Sequence, residues 1–322
     1  MNKVRWGIIG AGRIAHSFAR DMQYAENAEL VAVGARNGDS AAEFARQYAI
    51  EKSFTGYQAL MLCEDVDAVY IATPHNFHCA QTIDALNAGK AVLCEKPLVI
   101  SAVECTEVTA LSRDKGVYLV EGMWTWFLPA IQQAKQWVDE GRIGRVRHIK
   151  ADFGYPIPFS NSGREYDIRL AGGCLLDMGI YPIAIAQYFL GREPDELSVH
   201  SHLAPNGVED DVVIVADYGR DAIATLATSF RCKLQNWAYI IGEEGYIAIP
   251  DFWRADRCSL YQLDECIDSF SDGRKGLGFE YEISAVSADI LAGKKQSDVV
   301  TPEVSMAFQR VMERVKSQFS QR

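Results

Sequence analysis

The sequence predicts an α/β protein in which a doubly wound parallel sheet is followed by a second domain with an antiparallel or mixed sheet. Over the first third of the chain, short β-rich runs alternate with stretches of helical spacing. Such alternation implies a parallel sheet covered by helices on both faces. Between residues 197 and 249, strand-like runs follow one another without helices, which favours antiparallel pairing.

The first domain is predicted to span residues 1–122. Its strands are bounded by glycine or polar turns, and Ser101 with Glu104 forms a capping-box pattern at the start of its last helix. The predicted strands are 4–9, 30–35, 66–72, 91–94 and 118–120, and the predicted helices are 14–22, 40–48, 76–88 and one that begins at Ser101.

Residues 123–322 are predicted to form the second domain. At about 150 residues per domain, a chain of 322 residues corresponds to roughly two domains. A Gly/Pro/Ser-rich stretch, 154–173, predicts a long loop. The predicted helices are 129–141, 173–190, 280–292 and 303–319, and the predicted strands are 146–153, 197–202, 212–218, 222–230, 238–241 and 246–249.

The charge balance argues against two classes of partner. The chain has 32 Lys+Arg and 43 Asp+Glu, a formal net charge of −11. This charge is a poor electrostatic match for nucleic acid or for an anionic membrane surface. No apolar run approaches the roughly 18 residues of a membrane span. We therefore expect neither partner, and a phosphate-bearing ligand would need a local site.

The eight cysteines are widely scattered along the chain. They form neither a C-x-x-C pair nor a Cys/His cluster at zinc-ligand spacing, so no structural metal is expected. Several lie in apolar stretches, as Cys94 does in Ala91-Val92-Leu93-Cys94. Reduced core thiols of this kind indicate a cytoplasmic protein.

A glycine-rich turn lies between the first predicted strand and the first predicted helix. It reads G-x-G-x-x-A from Gly10 to Ala15. In this position the first glycine makes the tight turn, Gly12 lets a pyrophosphate approach the backbone, and the helix N-terminus faces the phosphate charge. We therefore predict dinucleotide contacts at Gly10, Gly12, Arg13 and Ile14. The alternative is a turn that only connects strand to helix.

The end of the second strand favours NADP over NAD. A carboxylate there would hold the 2′-hydroxyl of NAD, but the sequence reads Gly34-Ala35-Arg36-Asn37. An arginine fork can bind a 2′-phosphate with two hydrogen bonds. Arg36 is therefore predicted to contact NADP, and the alternative is a solvated surface arginine.

The third strand places Thr73, Pro74, His75 and His78 at its carboxyl end. Ligands bind at this edge of doubly wound sheets, so these residues are predicted to contact the cofactor. The alternative for the two histidines is capping and packing. They lack the third ligand that a metal would need.

The fourth strand ends in Cys94-Glu95-Lys96-Pro97. A lysine at a strand's carboxyl end, beside a proline that fixes the turn, can lie next to a nicotinamide ring and polarise or protonate an oxygen as hydride moves. Glu95 and Lys96 are therefore predicted at the cofactor, with Lys96 also catalytic. The alternative for Lys96 is an ordinary solvent-exposed charge.

Three motifs occur together in this order: the Gly10–Ala15 turn, Glu95-Lys96-Pro97, and the segment from Gly172 to Pro182. Together they resemble the Gfo/Idh/MocA oxidoreductases. The block from Glu121 to Pro129, with Ala151-Asp152-Phe153-Gly154, is similar to the branch that contains the dimeric dihydrodiol dehydrogenases and the NADP-dependent D-xylose dehydrogenases. The similarity extends over essentially the whole chain.

The resemblance implies a Rossmann domain followed by an α+β domain with a large open, mainly antiparallel sheet. One face of that sheet would support the active site, and the other would form the contact of a homodimer or higher homo-oligomer. The implied reaction is hydride transfer between a nicotinamide and a carbinol carbon of a small cyclic polyol, aldose or trans-dihydrodiol.

The resemblance also implies that Lys96, Asp177 and Tyr181 act at the reacting carbon. Asp177 and Tyr181 are spaced i, i+4, so an α-helix would place them on one face. A phenol has a pKa of about 10 and needs a nearby cation to act as a base at neutral pH, which Lys96 could supply. Asp177 would orient the substrate or the ammonium group. Alternatively, Asp177 caps its helix and Tyr181 packs in the core.

Several further side chains are candidates for substrate contact. Flat apolar faces suit a sugar ring or an aromatic diol, and arginines in the loop before Gly172 suit polar groups, although each could equally be core or surface. Trp126 stands where the branch usually has arginine, which leaves substrate preference open. The candidates are Trp124, Trp126, Phe153, Phe159, Arg164 and Arg169.

Two other functions fit the same motifs. A non-catalytic NADP-binding sensor would keep the nucleotide turn and pass its occupancy to a protein partner. A glycoside-cleaving enzyme would use the nicotinamide for transient oxidation only. Retention of Lys96, Asp177 and Tyr181 favours the dehydrogenase over the sensor.

Overall fold

The computed structural model describes residues 3–319 as two compact units. The first comprises the described residues up to Phe127 together with Arg274–Met306, and the second comprises Leu128–Gly273 together with the described residues from Ala307 on. The first break lies close to the predicted boundary after residue 122. The assignment of 274–306 to the first unit differs from that prediction.

The first unit contains a six-stranded parallel sheet with the strand order β3-β2-β1-β4-β5-β6. The order reverses between β1 and β4, so a crevice opens where these two strands end. The strands are β1 Val4–Ile9, β2 Ala28–Ala35, β3 Lys52–Thr55, β4 Ala68–Ile71, β5 Ala91–Glu95 and β6 Leu119–Gly122. The helices between them are α1 Arg13–Asp21, α2 Gly38–Gln47, α3 Gln58–Met61, α4 His78–Asn87 and α5 Ala102–Lys115.

Edge strand β3 and helix α3 were not predicted from the sequence. The side chains of β3 alternate between partly buried and exposed, and its sequence, Lys-Ser-Phe-Thr, contains no apolar run. The central strand β4 is buried at every position. Apolar runs therefore revealed the centre of the sheet but not its polar edge.

Residues 274–306 belong to the first unit because polar contacts and packing hold them there. The Asp21 carboxylate, at the end of α1, accepts hydrogen bonds from the backbone N–H groups of Leu277, Gly278 and Phe279, at 2.7, 3.0 and 3.1 Å. These three donors lie at the start of helix α8, Phe279–Leu291. The Trp6 indole also donates to the Ser287 hydroxyl at 3.0 Å. Local sequence patterns do not reveal these contacts, because 256 to 281 residues separate the partners.

The second unit contains an eight-stranded sheet with the strand order β14-β13-β12-β11-β7-β10-β9-β8. Only β7 and β10 pair in parallel, so the sheet is mainly antiparallel and the predicted fold class is confirmed. The strands are β7 Val146–Gly154, β8 Glu196–Leu203, β9 Glu209–Asp217, β10 Ile223–Ser229, β11 Ala238–Gly242, β12 Tyr246–Ile249, β13 Arg257–Gln262 and β14 Glu265–Ser271. Strands β13 and β14 were not predicted; β14 is mostly exposed and polar, whereas β13 alternates buried with more exposed side chains.

Helices α6 Pro129–Asp139 and α7 Ile180–Leu190 belong to the second unit, and helix α9, Pro302–Lys316, is shared between the two units. The predicted helix 173–190 is not uniformly α-helical, since Leu175–Gly179 forms a π-helical turn before α7. The predicted loop 154–173 contains two 3₁₀ turns, Arg164–Tyr166 and Ile168–Leu170.

The run Ile168–Leu190 qualifies the expectation that no segment is long enough to span a membrane. By length and composition alone this run could cross a bilayer, but 67% of its most apolar window is buried inside the protein. Side chains buried in a protein core account for this composition, and one such run is weak support for a membrane span.

Candidate functional site

The first half of the candidate site is the turn between β1 and α1. Gly10 has φ +102°, and a Cβ at this position would lie 2.9 Å from the backbone oxygen of Ala72. The Gly10 N–H donates to the Gly34 carbonyl at 2.8 Å. Glycine is therefore required here by both backbone conformation and close approach. The turn is fixed against the ends of β2 and β4.

The N-terminus of α1 fits a diphosphate. Gly12 is the N-cap residue in an extended conformation, and no side chain of the described residues caps the helix. A Cβ on Gly12 would meet no atom within 4 Å, and the first turn has no acidic residue. Arg13 and Ile14 are exposed. The first backbone N–H groups of α1 therefore have no side-chain cap among the described residues, which suits a dinucleotide pyrophosphate.

Arg36 is exposed and directly follows β2. The next residue, Asn37, caps α2 by accepting the Asp39 N–H at 2.8 Å. This cap occupies the Asn37 side chain and the Asp39 backbone amide. Arg36 therefore places a cationic guanidinium group at the end of β2, the position from which a contact with NADP was predicted.

The segment after β4 is tied to the turn after β5 by His78. One ring nitrogen of this buried histidine lies 2.9 Å from the carbonyl oxygen of Thr73, and the other lies 2.8 Å from that of Pro97. His78 is therefore a bridge between two strand ends, as the packing alternative expected, and this geometry does not support a direct cofactor contact. Pro74 precedes a short 3₁₀ turn that carries His75, which is buried and packs edge-on against His78.

Lys96 follows the last residue of β5, and its peptide bond to Pro97 is cis. The preceding residue, Glu95, is buried and accepts a hydrogen bond from the Tyr70 hydroxyl. Tyr70 in turn stacks on Phe18 of α1, with a ring-centroid distance of 3.7 Å. The position of Lys96 is thus linked through packed side chains to the helix that follows the glycine turn.

The second half of the candidate site begins with the π-helical turn Leu175–Gly179, which contains Asp177. The Arg164 guanidinium lies 3.5 Å from the Asp177 carboxylate, and both side chains are partly exposed. Tyr181 follows four residues after Asp177, in the first turn of α7. π-Helical turns are frequent at functional sites.

Tyr181 lies in the first turn of α7 and is buried among aromatic rings. Its ring packs edge-on against Phe153 of β7 at 5.4 Å and lies 6.2 Å from Trp253. Phe153 and Trp253 stack on each other at 4.9 Å. The predicted side chains Phe153 and Tyr181 are therefore brought together, and Trp253 joins them.

Glu209 forms a hydrogen bond to the first residue of the π-turn. It is buried at the start of β9, and the Leu175 backbone amide hydrogen-bonds to its carboxylate. Burial raises the pKa of Glu209, while that hydrogen bond and the charge of Lys316 lower it. Gly173 has φ +127°, and a Cβ there would overlap the Glu209 carboxyl group. Glycine at position 173 therefore avoids a steric overlap with Glu209.

The remaining predicted substrate residues lie in other surroundings. Arg169 is largely exposed and binds Asp167 through two hydrogen bonds, at 3.0 and 2.8 Å, so it does not join Arg164 at Asp177. Phe159 packs edge-on against Tyr166. Trp124 is buried and stacks on Phe279 at 4.3 Å, which agrees with the core alternative.

Trp126 is buried in the same short 3₁₀ helix as Trp124. The branch-typical arginine position is therefore occupied by an indole inside the first unit. No group of three or more His, Cys, Asp or Glu side chains suited to a metal ion occurs within residues 3–319.

Sequence reasoning missed three residues of these two half-sites: Tyr70, Trp253 and Glu209. Tyr70 could have been suspected from its place in a buried β-strand, where a hydroxyl needs a partner. Glu209 could have been suspected from the paired glycines at 172 and 173, which often mark a close approach. No local pattern pointed to Trp253.

The fold of the first unit and the matches to two family models define the class of this protein. The first unit has the fold and the helix N-terminus of a dinucleotide-binding protein, and residues 4–123 match the model of an oxidoreductase family with an NAD-binding Rossmann fold. Residues 131–248 match the GFO/IDH/MocA C-terminal domain. The protein is an NAD(P)-dependent oxidoreductase. It belongs to the Gfo/Idh/MocA family.

Curated relatives agree with this assignment. The chain is 36% identical over 253 residues to trans-1,2-dihydrobenzene-1,2-diol dehydrogenase of Mus musculus, covering 78% of this chain and 75% of that one. It is 31% identical over 323 residues to the Bos taurus protein of the same name, covering 97% and 96% of the two chains. The predicted family and branch are confirmed.

Solved structures show the same fold. The aldose-aldose oxidoreductase of Caulobacter crescentus superposes with a TM-score of 0.90 at 23% identity, covering 98% of this chain and 97% of that one. A 3-ketoreductase of Actinomadura kijaniata, in complex with NADP, gives a TM-score of 0.86 at 26% identity and covers 99% and 98% of the chains.

The contact between Gly173 and Glu209 makes a testable prediction. Gly173→Ala should reduce the free energy of unfolding by about 2 to 4 kcal/mol, because it combines a left-handed conformation with a steric overlap. Gly191→Ala is the matched control, since Gly191 has φ +70° with open space around its Cβ position, and it should cost about 1 kcal/mol. Equal losses in urea denaturation would contradict the steric role of Glu209.

Proposed function

We propose that this protein is an NADP-dependent dehydrogenase or reductase acting on a CH–OH group of a small cyclic polyol, aldose or trans-dihydrodiol. The observation that carries the proposal is the joint retention of Lys96, Asp177 and Tyr181, each in ordered surroundings, in a chain whose full-length relatives are dihydrodiol dehydrogenases. The aromatic cluster around Tyr181 supports a substrate with a flat or apolar ring face.

The proposed mechanism assigns one task to each residue. Bound NADP supplies the hydride chemistry at the carbinol carbon. Tyr181 accepts the hydroxyl proton during oxidation and returns it during reduction. Lys96 provides the positive charge that lets a phenol, with an ordinary pKa of about 10, act near neutral pH. Asp177, paired with Arg164, orients the substrate hydroxyl groups.

The preference for NADP is assigned to Arg36. Its guanidinium is exposed at the end of β2, where a 2′-phosphate would lie when the pyrophosphate occupies the N-terminus of α1. Neither Asn37 nor Gly38 would repel that phosphate. Support also comes from the NADP complex of the Actinomadura kijaniata ketoreductase, which has the same fold.

We further propose that the protein is a homodimer or higher homo-oligomer formed through the outer face of the second unit's sheet. Neighbouring strands β9 and β10 expose Val213, Val215 and Ile223 on this face. On β12 and β13 the rings of Tyr246 and Tyr261 stack at 4.8 Å. Exposed apolar and aromatic side chains on a regular sheet are typical of a subunit contact.

The cysteines support a cytoplasmic location. All eight are free thiols. Burial raises the pKa of the Cys94 and Cys174 thiols well above its usual range, so both stay protonated and inert in the core. Buried neutral thiols suit a reducing compartment, and cell fractionation would test this location.

The role of Tyr181 predicts a large loss of turnover in Tyr181→Phe. On a panel of sugars, polyols and trans-diols, NADP reduction should fall by about 10²- to 10⁴-fold, because the proton acceptor is lost. NADP binding should be unchanged. Tyr188→Phe, which removes a hydroxyl from the same helix, is the control and should keep full activity.

Equal rates for the wild type and Tyr181→Phe would remove Tyr181 from the mechanism. Tight NADP binding without turnover of any member of the panel, by the wild type, would favour a sensor instead. Formation of a product sugar without net NADPH would identify transient oxidation during glycoside cleavage.

The role of Arg36 predicts a selective loss of NADP affinity. Arg36→Ala should weaken NADP binding by about 10- to 100-fold, the effect of a charge-assisted hydrogen-bond pair, and should change NAD binding little. Arg46→Ala, at the other end of α2, is the control and should leave both affinities unchanged. Calorimetry measures the affinities of the wild type and both variants for NAD and NADP, and a similar loss for the two cofactors in Arg36→Ala would exclude a 2′-phosphate contact.

The proposed subunit contact predicts that Val213→Glu converts the oligomer to monomers, because it buries a charge in an apolar interface. Val103→Glu is the control, since Val103 is exposed on α5 of the first unit. Sedimentation at several protein concentrations measures the mass. A wild-type monomer, or an unchanged mass in Val213→Glu, would refute the assignment of this face.

A further inference from the structure

Glu121 is a buried carboxyl group that the mechanism above does not use. It lies on β6, beside Cys94 of β5, and is 1% exposed. Its Oε1 atom accepts the backbone N–H of Leu98 at 2.9 Å. Leu98 is two residues after Lys96 in the same turn, so this hydrogen bond fixes the backbone that carries the lysine. The Ser305 hydroxyl is a second hydrogen-bonding neighbour.

The other oxygen of Glu121, Oε2, is buried as well. Oε2 has no hydrogen-bond partner among residues 3–319. The pKa of Glu121 is raised to about 7: burial is the main cause and the charge of Glu95 adds to it, while the hydrogen bonds from Ser305 and Leu98 and the Lys96 ammonium act in the opposite direction. Of the two charged neighbours, Lys96 and Glu95, Lys96 is the cation. Because opposite charges attract, Lys96 and Glu121 favour each other's ionised forms.

Other titratable side chains lie close to this pair or to Glu95, among them Cys94, Glu282 and His78, whose ring nitrogen lies 2.8 Å from the Pro97 carbonyl oxygen. The Cys94 thiol is neutral, because burial raises its pKa well above the usual range. Glu282, on α8, is fully buried, and burial together with the charge of Glu95 raises its pKa well above the usual range. Glu95 is held by the Tyr70 hydroxyl.

We propose that Glu121 is a positioning residue for Lys96: it holds the turn that carries Lys96 through the Leu98 N–H, and its carboxylate keeps Lys96 in the ammonium form. The proposal rests on the proposed function only for the catalytic use of that ammonium group. The positioning itself is a property of the first unit.

The test measures the protonation of Lys96 directly in the full-length protein. Trace acetylation with acetic anhydride over a pH series, read by mass spectrometry of the peptide that contains Lys96, gives the pH at which half of the lysine is reactive. In Glu121→Gln this midpoint should fall by about one pH unit or more, because the amide can still accept the Leu98 N–H but carries no charge.

A matched control separates charge from loop anchoring. The Glu104 carboxylate accepts the backbone N–H of Ile100 at 3.0 Å, in the same segment. Glu104→Gln should leave the Lys96 midpoint unchanged, and Glu121→Asp should restore most of the wild-type midpoint. An unchanged midpoint in Glu121→Gln, or an equal shift in Glu104→Gln, would overturn the proposal.

A second measurement covers the case in which Glu121→Gln does not fold. Coupling between two titrating groups is reciprocal, so the carboxyl titration of Glu121, followed by ¹³C NMR of glutamate-labelled protein, should move to higher pH in Lys96→Met. A titration that stays in place would refute the coupling.

Activity then distinguishes this proposal from the proposed function. If both hold, both limbs of the pH profile of kcat/KM move to lower pH in Glu121→Gln, since removing a negative charge favours loss of a proton from every neighbouring group. A shifted Lys96 midpoint in a protein that turns over no polyol or diol would refute the proposed function and leave the role of Glu121 intact.

Discussion

The close approach of the β1 turn to the end of β4 is the constraint on which the first half-site depends. Gly10 lies so near the Ala72 carbonyl that any side chain would separate the two strand ends. Because the turn is held there, α1 begins at the point where the strand order reverses, with no side-chain cap among the described residues. The His78 ring then links the segment after β4 to the turn after β5, through the carbonyl groups of Thr73 and Pro97.

In the second half-site, a buried carboxyl group, that of Glu209, takes the place of a side-chain cap at the start of the π-turn. Glu209 accepts a hydrogen bond from the backbone N–H of Leu175, the first residue of the π-turn. Gly173, before the turn, leaves room for the carboxyl group. In this segment the Asp177 carboxylate lies near the Arg164 guanidinium, and the Tyr181 ring packs in the aromatic cluster. One short segment thus supplies a polar and an apolar environment side by side.

Local sequence patterns predicted those parts of the molecule that depend on nearby residues. The glycine turn, the strand that ends before Lys96 and a helical run that contains Tyr181 were predicted, because apolar periodicity and turn residues determine them. The polar edge strands β3 and β14 carry too few apolar residues to give that signal. The π-turn has the composition of an ordinary helix. Contacts such as Asp21 with Leu277, 256 residues apart, have no local signature at all.

The acidic composition of the chain therefore says little about the charge at the cofactor site. A net charge of −11 counts every carboxyl group as ionised, but Glu282 is fully buried with neither oxygen hydrogen-bonded to any residue among 3–319, and its raised pKa keeps it protonated. Glu121 is only partly ionised near neutral pH. The groups that would meet an anionic cofactor are instead backbone amides and arginine. An acidic protein can thus bind a phosphate-rich ligand, because the groups that would contact the ligand are local and burial leaves a carboxyl group such as Glu282 uncharged.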